Sequence, residues 1–261
     1  MSRDFRIIVL ALTTALLISM PLASQAVVTV DPGSKVSAGK TIIGTGQNLP
    51  TLDSTQAWNI GSEAKDQVIA YYTDGAVARD RRDLVSSAKS WTRSWLKETC
   101  GSLKPAAVKA CDAAAVFDID DTLFSSYSVS STNSPAFTYD PERSLVAETT
   151  CELPMIKTTR NLLKDFQSWG MNIFLITGRT ETERKETMEC LNAAGISGWK
   201  QLTMRQTGDK TPASSYKATA RKGIEATGVE IGPSIGDQVS DMSFGYLGRG
   251  FLMPNLMYFI P

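Results

Sequence analysis

Histidine is absent from all 261 residues, and that absence excludes a good deal. No phosphohistidine can form, no imidazole can act as a base near neutral pH, and His-rich dinuclear metal centres have no ligands. Chemistry in this chain must run on carboxylates, hydroxyls and lysines. Net charge is lacking too, since 27 Lys+Arg balance 27 Asp+Glu, and there is no long block of one sign. No overall field therefore favours a nucleic-acid polymer or an anionic membrane. Internal repeats are missing. Beyond the N-terminal stretch there is no apolar run long enough to cross roughly 30 Å of hydrocarbon. What remains, with 42% apolar side chains, is a chain that can bury its own core.

The N-terminus carries its own signal. Arg3 and Arg6 precede an apolar stretch from Ile7 to about Leu22, followed by the small residues around Ser24-Gln25-Ala26. That order predicts a secretory signal over residues 1–26, cleaved near Ala26, and no stable membrane anchor. The expected location is secreted, periplasmic or otherwise extracytoplasmic. The four cysteines, Cys100, Cys111, Cys151 and Cys190, all follow the signal. In an oxidising compartment an even number suggests disulfides. Cys100 and Cys111 flank a short loop with Gly101 and Pro105 and form the natural local pair. Cys151 with Cys190 follows by elimination, with buried free thiols as the alternative.

Residues 27–53, rich in Gly, Thr, Ser and Pro, read as an extended arm. Residues 54–111 read as an N-terminal helical segment, with Trp58, Val68, Ile69 and Tyr72, then Val85, Ala88, Trp91, Trp95 and Leu96, at helical spacing. Beyond Cys111 the pattern alternates. Strands are predicted at Ala113–Phe117, Asn172–Ile176, Gln201–Met204, Ile231–Ile235 and Phe251–Met253. Helices are predicted at Pro154–Trp169, Glu181–Ala194 and Thr211–Ala226, the last with Pro212 at its first position. Strands separated by helices imply an α/β fold, a Rossmann-like core over residues 112–261 with a parallel sheet flanked by helices. The Ser/Thr-rich stretch of about 124–152 is too long for a structureless loop and reads as a small cap inserted after the first strand.

Three polar clusters fall at strand ends, where ligands of such sheets sit. The first is the abrupt close of Val116-Phe117-Asp118-Ile119-Asp120-Asp121-Thr122. So many like charges at the end of a buried strand call for a positive partner, a divalent cation and a phosphate together. Asp118 can attack phosphorus and Asp120 can protonate the leaving oxygen, if their environments push their pKa values apart. Asp121 reads as a loop residue beside the site, the least essential of the three. The second cluster is Thr177-Gly178-Arg179, whose hydroxyl and amides can bind phosphoryl oxygens. Arg179 itself can touch substrate or play a structural part. The third is Gly236-Asp237 with Asp241, where Asp237 is the second ligand for Mg²⁺ and Asp241 completes or supports the shell. A lysine, Lys210 or Lys217, should neutralise the remaining phosphoryl charge. Gly245, Gly248 and Gly250 lack the context of a dinucleotide loop and read as turns. Tyr127 and Phe137 read as packing within the cap.

Taken together, Asp118-Ile119-Asp120-Asp121-Thr122, Ile176-Thr177-Gly178-Arg179, a lysine, and Gly236-Asp237-Gln238-Val239-Ser240-Asp241 resemble the four motifs of the haloacid dehalogenase (HAD) superfamily. Tyr216-Lys217 with Arg221, the Gly-Asp-Gln-x-Ser-Asp form and the ending Pro254-Asn255-Leu256-Met257-Tyr258 are similar to its secreted acid phosphatase branch, subfamily IIIB. That branch also holds plant vegetative storage proteins, in which the nucleophilic position is altered. The resemblance implies that Asp118 is the nucleophile and Asp120 the acid/base. Thr177 and Gly178 would bind phosphate, and Lys217 rather than Lys210 would stabilise charge. Asp118, Asp237 and Asp241 would hold Mg²⁺, with Asp120 giving its backbone carbonyl. A dehalogenase would need no acid for a halide, so Asp120 argues for phosphate esters. The expected partner is a small phosphate monoester. A storage or binding role, phosphotransfer to an alcohol, and a homo-oligomer all stay open.

Overall fold

A computed structural model describes residues 62–133 and 136–260. The signal and the extended arm expected over residues 1–53 lie outside the described residues. Among the described residues, no helix is long and apolar enough to cross a membrane.

Strand β1 (Ala113–Phe117) is buried at every position, as a central strand covered on both faces must be. Parallel to it run β2 (Asn172–Thr180), β3 (Gln201–Arg205), β4 (Glu230–Gly236) and β5 (Arg249–Leu252). Their order is β3-β2-β1-β4-β5, so the chain reverses its direction of travel across the sheet at β1. The crevice for a ligand opens at such a reversal, beyond the carboxyl ends of the flanking strands.

The period of two along each strand sorts side chains between two cores. Ala113, Ala115 and Phe117 join Ile173 and Leu175 on one face. There they meet α2 (Ala76–Cys100), α6 (Lys157–Ser168) and α7 (Arg184–Ala193) through Leu96, Leu162, Phe166 and Leu191. Ala114 and Val116 join Phe174 and Ile176 on the other face, covered by Ile224 of α8 (Ala213–Glu225) and by Met242 and Leu247. One irregularity serves β4. Its Gly232 and Pro233 lie between the pairs Ala114↔Ile231 and Val116↔Ser234, opposite one residue of β1. Such a bulge accommodates a proline, which has no N–H for the ladder.

The N-terminal helices are part of this core. Helix α1 (Ser62–Thr73) turns at Gly75 into α2, whose buried stripe includes Leu84, Val85, Ala88, Trp95 and Leu96. The indole of Trp95 lies on β4 at Gly232, where a Cβ would come within 2.5 Å of the ring. The segment between Cys100 and Cys111, expected as a loop, contains a short helix, α3 (Pro105–Ala110), with Pro105 in its first turn. Both expected disulfides are present, Cys100–Cys111 and Cys151–Cys190, and no free cysteine remains.

The other departures are local. The helix expected from Pro154 begins at Lys157, since Pro154 to Ile156 run beside the segment after β1, with Ile156 N–H on the Leu123 carbonyl. Pro212 precedes α8 as its N-cap rather than opening it, a one-residue shift of the kind that helix ends show. The cap insertion carries two short helices, α4 (Tyr127–Ser130) and α5 (Pro141–Thr149). Its Tyr127 ring stacks on Tyr72 of α1 at 4.5 Å, beside Phe137, so these aromatics pack as expected.

Gly232→Ala should force a methyl against the Trp95 ring and cost about 1–3 kcal/mol, typical of overpacking. Urea denaturation would read this as a lower midpoint at unchanged slope. An unaltered midpoint would show that α2 does not bear on the sheet at this point.

Candidate active site

The site is assembled at the carboxyl ends of β1, β2 and β4. The Asp118 amide donates to the Ile235 carbonyl at 2.9 Å, so the strand pairing carries Asp118 one step past β1 and buries its carboxylate. On β4, Gly236 is followed by Asp237, and a 3₁₀ turn over Val239–Asp241 brings Asp241 back over the strand. A Cβ at Gly236 would lie 2.2 Å from the Asp241 carboxyl. Only a glycine lets that carboxylate sit against the backbone. Carboxylate oxygens of Asp118, Asp237 and Asp241 consequently lie within 4.8 Å of one another, all three buried.

One ammonium stands among them. Lys217, on the buried face of α8, donates to Asp118 at 2.8 Å and to Asp241. Burial by itself would push the Lys217 ammonium down, but Asp118 and Asp241 outweigh it and hold it above its ordinary range. Burial pushes Asp118 up to about 7, against the pull of Lys217 and helped by Asp241 and Asp120. Asp237 is raised well above its ordinary value by burial, then by Asp118 and Asp241. With all three carboxylates ionised, one ammonium would leave a surplus of about two negative charges in a place that water barely reaches, and the raised Asp118 and Asp237 reflect that surplus. A divalent cation with oxygen ligands fits that surplus, that donor set and that spacing. Asp118, Asp237 and Asp241 are the residues that would hold it.

Neighbouring groups hold the trio in place. Asp237 Oδ2 accepts from Gln238 Nε2 at 2.6 Å and from Asn255 Nδ2 at 2.7 Å. Asp241 Oδ2 accepts from the Gln238 amide at 2.9 Å. Arg221, one turn beyond Lys217 on α8, is fully buried without a carboxylate partner. It donates to the carbonyls of Asp241 at 2.8 Å, Gly245 at 3.0 Å and Ser243, and burial pushes it down to about 10. The glycine-rich segment therefore hangs from Arg221, with Gly245 at φ +80°, while Gly250, expected in a turn, lies within β5 because it pairs with Ser234 of β4.

Thr177 lies within β2, which continues to Thr180 instead of ending at Ile176. The ladder with β3 is irregular between Ile176 and Thr180, so Thr177 sits at a break in the pairing. Its Oγ1 accepts from the Arg179 amide at 3.1 Å, which leaves its own O–H to donate. Gly178 is exposed beside it, with open space where a side chain would be. Lys210 precedes α8 and does not line up with the trio; Lys217 does.

Asp120 is turned to a different partner. Both its oxygens accept from Arg179, from Nη2 at 2.7 Å and Nε at 3.0 Å. Arg179 is buried and also donates to the Glu148 carbonyl of α5 at 3.3 Å and to Thr187 on α7 at 3.3 Å. The side chain of Glu148 lies 3.6 Å away, pushed up to about 8 by burial and Asp120 against the pull of Arg179. The Cys151–Cys190 disulfide ties the same end of the cap to α7. Arg179 is thus an internal tie between the Asp120 carboxylate and the cap, a role that its place beside Thr177 did not distinguish from substrate contact.

Three further residues have partners that sequence reasoning missed. Asp121, expected as a loop carboxylate, is fully buried at φ +52°. It accepts from the Ser126 amide at 3.0 Å, the Ser126 hydroxyl at 2.6 Å and the Tyr258 hydroxyl at 2.7 Å. Burial still raises it above its ordinary value. Asn255 and Tyr258 bring the C-terminal tail across the site to Asp237 and Asp121. The ending had stood out only as a string, because nothing in it foretold which loops it would meet.

The model of the HAD superfamily, subfamily IIIB (acid phosphatase), matches residues 45–261. The chain is 26% identical to vegetative storage protein 2 of Arabidopsis thaliana over 79% of this chain and 80% of that protein. It is 37% identical to acid phosphatase 1 of Solanum lycopersicum over 41% of this chain and 43% of that protein. Among solved structures, the class C acid phosphatase from Bacillus anthracis superposes with a TM-score of 0.60 at 16% identity. That match covers 76% of this chain and 85% of the other, and it shows a shared fold.

A pH dependence follows from the trio. With the Asp118 carboxyl raised from 3.8 to about 7, the folded metal-free protein binds more protons than the unfolded chain between those values. Its stability should then fall as pH rises through that window. Thermal melts in EDTA should show a declining midpoint from about pH 4 to about pH 7. Mg²⁺ should flatten the decline, and Asp118→Asn should reduce it. A metal-free midpoint that rises steadily across the window would refute this balance of charge.

Proposed function

The chain belongs to the HAD superfamily, subfamily IIIB, the acid phosphatases, and on that footing we propose that it is an exported, Mg²⁺-dependent acid phosphatase hydrolysing small phosphate monoesters. The carrying observation is the intact Asp118 carboxylate, buried against Lys217 and within 4.8 Å of the Asp237 and Asp241 oxygens. Two disulfides, Cys100–Cys111 and Cys151–Cys190, support an extracytoplasmic location.

The residues divide the work as follows. The Lys217 ammonium and the Thr177 O–H bind non-bridging phosphoryl oxygens, and the Gly178 backbone at the open rim admits the ester. Asp118, Asp237 and Asp241 would hold the Mg²⁺, which would supply positive charge to offset the negative charge of the phosphoryl group. Asp118 attacks phosphorus, forming an aspartyl-phosphate while the bond to the leaving oxygen breaks. Asp120 delivers the proton that the leaving oxygen takes. The same carboxylate then accepts a proton from water as its oxygen attacks the aspartyl-phosphate, releasing inorganic phosphate and restoring Asp118. Both oxygens of Asp120 are committed to Arg179 in the resting geometry, so proton delivery requires Asp120 to leave that partner. Arg179 and the cap therefore bear on the proton-transfer step without touching the phosphoryl group.

One observation favours a second reading. The relative matched over most of its length is named as a storage protein, so a non-catalytic role on this scaffold is the rival. The retention of Asp118, Asp120, Thr177, Lys217 and Asp237 supports turnover, since storage has no use for a complete set.

Assay of the mature chain on p-nitrophenyl phosphate separates the two. Activity should require Mg²⁺ and vanish with EDTA. Asp118→Asn should lose about a thousandfold or more in kcat, and Asp120→Asn about a hundredfold to ten-thousandfold. No wild-type turnover from acidic to neutral pH would leave the storage reading in place. Turnover that survives Asp118→Asn would remove Asp118 as the nucleophile.

A further inference from the structure

Arg81, Arg179 and Arg221 are the buried arginines among the described residues. The guanidinium of Arg179 is met by Asp120 and Glu148, and that of Arg221 by three carbonyls. Arg81, on α2, is only 9% exposed, yet its Nε and Nη2 are buried with no hydrogen-bond partner among the described residues. The face of the Tyr72 ring, 5.9 Å from the guanidinium carbon, offers a weak attraction and accepts none of the five N–H groups in the usual way. A guanidinium cannot shed its charge as a buried lysine can. A buried cation of this kind needs an anion.

The surroundings supply room and further donors. Arg81 lines a cavity of about 280 Å³ together with Tyr72, Ser125, Tyr127, Lys157 and Thr158. Helix α6, twelve residues long, begins on this cavity with Ile156 as N-cap, and no side chain caps its first amides. Uncapped first-turn N–H groups and the helix dipole favour an anion at that end. A neighbouring cavity of about 420 Å³ shares Lys157 and Thr158 and adds Arg82 and Lys89, of which Lys89 is already paired with Asp165. Among the described residues, no Asp or Glu lines either space. This region is the electrostatic opposite of the Asp118–Asp237–Asp241 trio.

We infer that the cavity between α2 and the start of α6 is a second anion-binding site, taking a small oxyanion of the phosphate class. Arg81 and Lys157 supply its charge, the first-turn amides of α6 its directed donors, and the hydroxyls of Ser125 and Thr158 the remaining bonds. The aromatic wall of Tyr72 and Tyr127 limits it to a small ligand on that side. An anion held there ties the N-terminal helices to the segment leaving β1, at Ser125, and to α6. The inference does not depend on the proposed turnover, since the site shares no residue with the catalytic set.

The test uses inorganic phosphate on the mature chain in EDTA, where the Asp118, Asp237 and Asp241 carboxylates have no metal to attract an anion. Lys217→Met removes the ammonium of the catalytic pocket and isolates the second site. Equilibrium dialysis of Lys217→Met should still find one phosphate per chain, and phosphate should raise its melting temperature. Adding Arg81→Met, or Lys157→Met at an exposed position that folding does not need, should weaken that binding about tenfold or more. With Mg²⁺ restored, Arg81→Met in the otherwise unaltered chain should keep its turnover of p-nitrophenyl phosphate. The inference is overturned if Lys217→Met binds no phosphate, or if its phosphate affinity is unchanged by both added substitutions. A failure of the phosphatase reading would look different: no turnover in the unaltered chain, with the Arg81-dependent phosphate still bound.

Discussion

Lys217 stands between Asp118 and Asp241 in a crevice that water barely reaches, and the arrangement of the site depends on that contact. Removing three carboxylates from water is costly, and one ammonium offsets only part of the cost. The remainder is carried by directed hydrogen bonds. Gln238 and Asn255 serve Asp237, the Gln238 amide serves Asp241, and Arg221 fixes the backbone on which Asp241 rides. A pocket built in this way is suited to a cation. Its unneutralised charge is the part of the fold that a ligand would relieve.

Lys217 reaches the trio because α8 crosses from β3 to β4 on the face opposite α2 and α6, with its buried stripe toward the sheet. The same helix places Arg221 one turn later, so one element sets both the ammonium and the loop it serves. On the other side of the crevice the cap is joined to the core by Arg179 and by the Cys151–Cys190 disulfide, which meet α7 close together. Asp120 is the point where the loop after β1 is joined to the cap. The C-terminal tail completes the enclosure, since Asn255 and Tyr258 reach Asp237 and Asp121 across the chain.

Much of this was legible before any coordinates. The five strands and their helices follow from apolar runs of strand length punctuated by Gly and Pro. Asp118 and Asp237 were readable together because each follows a run that should be buried, and Asp241 because it falls four residues after Asp237. The two disulfides followed from spacing and elimination. Other features were not legible, for reasons that are physical. Asp121 and Arg179 look like ordinary polar neighbours of motif residues; their burial is set by Ser126, Tyr258, Glu148 and Thr187, which come from distant segments. Arg81 looks like a solvated charge on a helix with Arg79 and Arg82 beside it. Only the rotation of α2 against the sheet, fixed by Trp95 on Gly232 and by Leu96, turns it inward.

By itself, the sequence determined what is local or periodic: the alternation of strands and helices, the close of β1 in carboxylates, and the lack of any histidine to share their chemistry. The tertiary structure decided which charges are partnered. Hydrophobic patterning is written residue by residue along the chain, whereas the neutralisation of a buried charge depends on groups 59 residues away, as with Arg179 and Asp120, or 99 away, as with Lys217 and Asp118. Those distances close only when the sheet forms, and with them closes the difference between a crowded acidic loop and a site.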